Sequence, residues 1–196
     1  MYTLYHFPHS QHARRVVSLM ELAGIPYQLQ HVAMDEGEHA APAFLARNPN
    51  HQVPVLEQGD FRLWESNAIL RYLCEQHNLD AWYPRPARQR ARVDQWLDWN
   101  QCRLAPTVVD IVLHSVFLGD QGDPQVIARG RQALPERLAI LEQALADSAF
   151  LAGDTPTIAD LSVASNITQL GYADIAVSGH TAQWYQRMLA LETAAT

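Results

Sequence analysis

Ser10 stands where an extended stretch, Tyr2 to Phe7, gives way to a helical one, so its hydroxyl and the free amides of a helix start converge. A hydroxyl donating to sulfur in such a place favours thiolate over thiol, as does the helix end. As a plain N-cap, the same serine needs no ligand at all. Glu65-Ser66 opens another helix, whose positive end prefers a carboxylate as its guest. A cap with an acidic first turn explains that pair equally well. Val53-Pro54 puts a proline at the head of a strand, which reads as an edge strand, a turn proline or a cis bond. With a cis bond, the Val53 amide and carbonyl would stay free to pair with an extended tripeptide. Trp96, Asn100, Arg103 and Thr107 follow one another at steps of 4, 3 and 4, one face of a helix that suits either a pocket or packing. The spacing of His6, His9 and His12 hints at a metal, but His6 belongs to a strand and no metal site is expected.

These side chains need elements to hold them. Tyr2–Phe7 reads as a strand. Ala13, Val16, Val17, Met20 and Ala23 recur at helical spacing until Gly24-Ile25-Pro26. Tyr27–Val32 is a second strand, and a short helix is expected near Ala41–Ala46. Val53–Leu56 and Phe61–Trp64 flank Gln58-Gly59-Asp60 as a hairpin, and a helix capped by Ser66 runs to about His77. Tyr5 alternates toward the core, leaving His6 as the other group near Ser10 able to act on a thiol. Residues 1–78 therefore form a βαβ-helix-ββα unit. Residues 79–86, with Pro84 and Pro86, read as a linker. Residues 87–196 carry helical patterns alone: a long helix to about Leu118 bent by Pro106, one from Pro124 to about Ala146, one opened by the Thr157–Asp160 capping box, and a last one over Thr181–Leu189.

Composition narrows the chemistry. Of the 196 residues 48% are apolar, enough for a packed core, and the net charge of −7 supplies no overall basic field for nucleic acid. All 14 basic residues are arginine, which excludes Schiff-base and P-loop lysine chemistry. The 2 cysteines, Cys74 and Cys102, make neither a zinc quartet nor a disulfide framework. The opening residues lack a signal-peptide pattern, and no apolar run is long enough to span a membrane, so a cytoplasmic protein is expected.

A βαβ-ββα unit with Val53-Pro54 before its third strand resembles the thioredoxin fold. Together with Glu65-Ser66, the proline-containing linker and a helical domain with the Thr157–Asp160 box, the whole resembles a cytosolic glutathione transferase. Ser10-Gln11, Gly37-Glu38-His39 and Arg90-Ala91-Arg92-Val93-Asp94 look theta-like. The resemblance implies a mixed four-stranded sheet with helices, then an all-α domain. It implies a homodimer that takes glutathione as co-substrate, has no permanently bound cofactor, and attacks a hydrophobic electrophile with the thiolate; no nucleic acid or membrane is involved. It also implies a cis Val53–Pro54 bond, Ser10 at the sulfur, Glu65 and Ser66 at the γ-glutamyl end, and His39, His51 and Gln52 at the glycyl carboxylate. Basic residues often precede the Val-Pro in theta-like chains, so His51 and Gln52 are a departure. The electrophile side falls to His9, Asn100, Arg103 and Thr107. Relatives often carry a basic residue near positions 105–106, where this chain has Ala105-Pro106. Dehalogenation, isomerisation or peroxide reduction on the same scaffold, a ligand carrier and an interaction protein are the competing readings. A zeta-type isomerase would carry Ser-Ser-Cys after the first strand, and glutaredoxin-like exchange would need a cysteine at position 10; His9-Ser10-Gln11 offers neither.

Overall fold

A computed structural model describes residues 1–195, which divide into two compact units, Met1–Leu79 with Ala195, and Asp80–Ala194. In the first, β1 (Tyr2–His6), α1 (Gln11–Ala23) and β2 (Tyr27–His31) make a parallel crossover, with Tyr2 opposite Tyr27 and His6 opposite His31. The antiparallel hairpin of β3 (Val55–Gln58) and β4 (Phe61–Trp64) joins β1 through β3, giving the sheet order β2-β1-β3-β4. A left-handed residue closes α1: Gly24 has φ 64°, and the Ile25 amide reaches back to the Met20 carbonyl. Val16, Leu19 and Met20 of α1 are fully buried, as are Leu4 and Leu56 of the sheet and Ile69, Leu70 and Leu73 of α3 (Ser66–Gln76). Each such side chain contributes about 1.5–3 kcal/mol by leaving water. That burial fixes the ends of β1, α1 and α3, where the polar residues of interest sit.

A smaller cluster of Val32, Phe44, Val53 and Val55 packs with Tyr5, Phe7 and Met34, and ties α2 (Pro42–Leu45) and the chain around Val53 to the sheet. Tyr5 does turn toward packed surface, edge-on to Phe44 with the Arg47 guanidinium over its ring. The structure departs from the expected cap of α3. Ser66 is its first helical residue, and Glu65, at φ 73° and ψ 111°, precedes it without a side-chain cap bond. Sequence favours serine as the cap, but the positive φ at Glu65 makes the turn one residue earlier.

In the second unit, α4 (Ala87–Trp99) and α5 (Ala105–Val112) belong to one helical run, with π-turns at Asn100–Leu104 and Leu113–Phe117. Pro106 does not act alone. It follows the first π-turn directly, where the wider winding accommodates the missing amide hydrogen. α6 (Pro124–Ala144) is capped by Asp123, whose Oδ1 accepts from the Gln125 amide at 2.8 Å. Gly130 lets α6 approach α5: a Cβ there would lie 2.7 Å from Ile111 Cγ1. α7 (Ile158–Leu170) begins at the Thr157–Asp160 box. Asp160 also accepts from the Leu151 amide and from Trp184 Nε1 on α8 (Gly179–Ala195). α8 runs longer than its apolar pattern suggests because Glu142 caps its start and its alanine-rich tail favours helix. The stretch read as a linker is stitched to this unit: Tyr83 donates to Asp94 at 3.0 Å, Arg90 Nε to the Pro84 carbonyl, and the Ile158 amide to the Trp82 carbonyl.

Candidate active site

Ser10 leaves β1 by a turn, its amide bonded to the Phe7 carbonyl at 2.8 Å, and caps α1 from an extended conformation. Its Oγ accepts from the Ala13 amide at 3.2 Å. The hydroxyl proton is left over, at a helix end whose field favours negative charge. Beside it, burial and the charge of Arg15 push the His12 imidazole down to about 3, so His12 is neutral at working pH. His6 is also held down, by burial first and then by His31, whose ring lies 6.1 Å away. A neutral His6 is an acceptor rather than a cation at pH 7. His9 is exposed and edge-on to Phe7. No group of three metal-ligating side chains occurs among the described residues.

The Val53–Pro54 bond is cis, and the strand ladder begins only at Val55, so Val53 lies outside it. The turn before Val53 is held by Asn48, nearly fully buried. Asn48 Nδ2 donates to the Gln52 carbonyl at 2.9 Å, while its Oδ1 accepts from the Asn50 amide. This brace presents His51 and Gln52 to solvent and puts His51 at φ 49°, a left-handed conformation unusual for a side-chain-bearing residue. The His39 ring comes within 6.3 Å of the His51 ring, centroid to centroid. His39 Nδ1 is buried with no hydrogen-bond partner among the described residues. Asn48 is not among the expected site residues, although an Asn just before a proline is a recognisable Asx signal.

At the third corner, Ser66 is 5% exposed, and its Oγ accepts from Arg15 Nη1 at 3.3 Å; the same nitrogen reaches Asn67 Oδ1 at 3.3 Å. Arg15 therefore ties the start of α1 to the start of α3. Nothing in the sequence pattern singled it out.

The expectation that Trp96, Asn100, Arg103 and Thr107 share a face does not hold. Asn100 is 0% exposed, its Nδ2 donating to the Ser162 carbonyl and hydroxyl and to Asn166 Oδ1 inside the helical unit, whereas Arg103 is exposed. Asn100 is thus a packing residue without surface for a substrate. Thr107 is largely buried, its hydroxyl bonded to the Arg103 carbonyl. The π-turn over Asn100–Leu104 shifts the helical register, which a regular 3.6-residue reading does not anticipate. Trp96 is core, and Trp99 meets its ring edge-on at 5.2 Å.

Residues 1–75 match the family model of the glutathione S-transferase N-terminal domain, and residues 124–192 that of the glutathione S-transferase C-terminal domain. Mouse glutathione S-transferase theta-1 is 35% identical over 188 residues, spanning 91% of this chain and 78% of the relative. The chain belongs to the glutathione S-transferase family. Within this enzyme family its likeness is to the theta class and its neighbours. Glutathione S-transferase 2 of Anopheles gambiae is 32% identical across 97% of this chain and 91% of its own. Among solved structures, human glutathione transferase theta-2, in complex with glutathione and an unknown ligand, superposes with a TM-score of 0.89 at 32% identity, covering 98% of this chain and 82% of the other. The two-unit fold, with a mixed four-stranded sheet followed by helices, is the family's own.

Proposed function

We propose that the protein binds glutathione, holds its sulfur as a thiolate at Ser10, and delivers it to an electrophilic carbon of a small molecule. The thiol proton passes to water, a carbon–sulfur bond forms, and the leaving group departs with its electron pair. The observation that carries the reading is the Ser10 hydroxyl, whose acceptor side is occupied by the Ala13 amide and whose proton remains for an anion. A donor aimed at developing negative charge is what sulfur activation requires. The Val53–Pro54 segment outside the ladder supports an extended peptide lying beside it, the start of α3 supports the γ-glutamyl carboxylate, and the His39–His51 pair supports the glycyl carboxylate. Glu65 would meet the α-amino group and Gln52 the glycyl end. Exposed His9 in the first unit and exposed Arg103 in the second are the residues retained for the electrophile, each on its own unit. No helix among the described residues is long and apolar enough to cross a membrane. The same reading extends to a two-fold homodimer, the commonest closed assembly, sedimenting at twice the chain mass.

Retention on immobilised glutathione, followed by conjugation of a generic aryl halide with loss of halide, tests the proposal. Retention with turnover supports it. Retention without turnover favours a carrier, and no retention removes the glutathione reading altogether.

A further inference from the structure

We infer that Arg15, a residue buried in the first helix, is a positioning residue for the carboxylate bound at the start of α3. The inference rests on the reading that the γ-glutamyl α-carboxylate binds there.

Ser66 and Arg15 are 5% and 0% exposed, and Arg15 Nη1 donates to Ser66 Oγ at 3.3 Å. A guanidinium has donors and no acceptor, so the bond consumes a lone pair of the serine oxygen and cannot take its proton. The Ser66 hydroxyl proton then has no acceptor among the described residues. It sits at the first residue of an 11-residue helix, at the positive end of the helix dipole. A hydroxyl whose acceptor side is filled from within and whose proton is unspent is set as a donor. An anion is the guest that such a donor, the helix end and a buried cation jointly favour. The same guanidinium nitrogen reaches Asn67 Oδ1, so the first two residues of α3 are both anchored to α1. Burial lowers the Arg15 guanidinium to about 9, which leaves it charged at neutral pH. Arg15 need not touch the ligand. It acts through Ser66 and through its charge behind the helix start.

The test compares glutathione with γ-aminobutyryl-cysteinylglycine, which lacks only the α-carboxylate and the amino group's position next to it. γ-Glutamyl-α-amide analogues of glutathione isolate the carboxylate charge. Wild-type protein should prefer glutathione over the amide by about 10-fold or more in Kd, the value of one hydrogen bond to a charged group. Arg15→Met should lose most of that preference, and Arg15→Lys should recover part of it, with kcat at saturating glutathione changed far less than KM. Should Arg15→Met fail to fold, Ser66→Ala carries the test and must flatten the same preference. A variant that weakens glutathione and the amide equally, or keeps the wild-type preference, overturns the role of Arg15 while leaving glutathione binding intact. Failure of the wild-type protein to bind glutathione would overturn both readings together.

Discussion

His39 and His51 approach within 6.3 Å, ring to ring, from two separate loops, and His51 does so from a backbone at φ 49°. A side-chain-bearing residue in that region costs about 1–2 kcal/mol relative to an ordinary conformation, a cost that recurs at functional sites.

Glycine at this position would relieve the backbone and remove the imidazole. His51→Gly is therefore expected to raise the thermal midpoint while raising the KM for glutathione several-fold. His51→Ala should raise KM without the gain in stability. A glycine variant that binds glutathione as tightly as wild type would show that the ring has no part in holding the glycyl end.

The brace behind that loop gives an acid-side prediction. Glu57 pairs with Arg47 and with Arg62, whose Nη2 lies 3.1 Å from its carboxylate. Burial works against ionisation of Glu57, yet the Tyr5 and Arg62 hydrogen bonds and the two guanidinium charges outweigh it and hold its carboxyl below the usual 4.5. A carboxylate with a depressed folded pKa contributes stability above its unfolded value and loses it as pH falls through the folded one. Thermal midpoints of wild type and Glu57→Gln should differ at pH 7 and converge at pH values below about 4. A gap that persists unchanged into acid would mean that packing, not charge, sets the difference.

Asp160 sets the stability of the helical unit. It accepts from Trp184 Nε1 at 2.8 Å, from the Leu151 amide at 3.0 Å and from the Thr157 amide at 2.9 Å. Asp160→Ala leaves three buried donors without an acceptor, at a cost of about 3 kcal/mol or more. Trp184→Phe removes one donor and leaves the carboxylate two, so it should cost less. Urea midpoints in the order wild type, Trp184→Phe, Asp160→Ala are expected; a silent Asp160→Ala would contradict the shared-acceptor account.

Much of this was legible in the residues. Gly24 stops α1 where sequence places the stop, Gly59 sits in the hairpin turn, and Thr157-Ile158-Ala159-Asp160 forms the box that its spacing announces. These signals are local: each depends on backbone conformation within four residues. What escaped is tertiary. Arg15 follows Arg14 in a helix and reads as a solvated charge until α3 is packed against it. Glu65 gives no sign of its positive φ, because glutamate rarely adopts one unaided. The spacing of Trp96, Asn100, Arg103 and Thr107 fits a pocket or packing equally, and only the π-turn and the buried partners of Asn100 on α7 decide for packing.

In the proposed function, Ser10 holds the glutathione sulfur as a thiolate. A free thiol titrates near 8.5, and one hydrogen bond to a charged sulfur contributes about 1.5–3 kcal/mol, or about 1–2 pKa units. Following the thiolate ultraviolet absorbance of bound glutathione against pH measures this directly. Ser10→Ala is expected to move the midpoint up by about 1–2 units, with Kd nearly unchanged and kcat sharply lower at pH 7. An unmoved midpoint with full turnover in Ser10→Ala would contradict it.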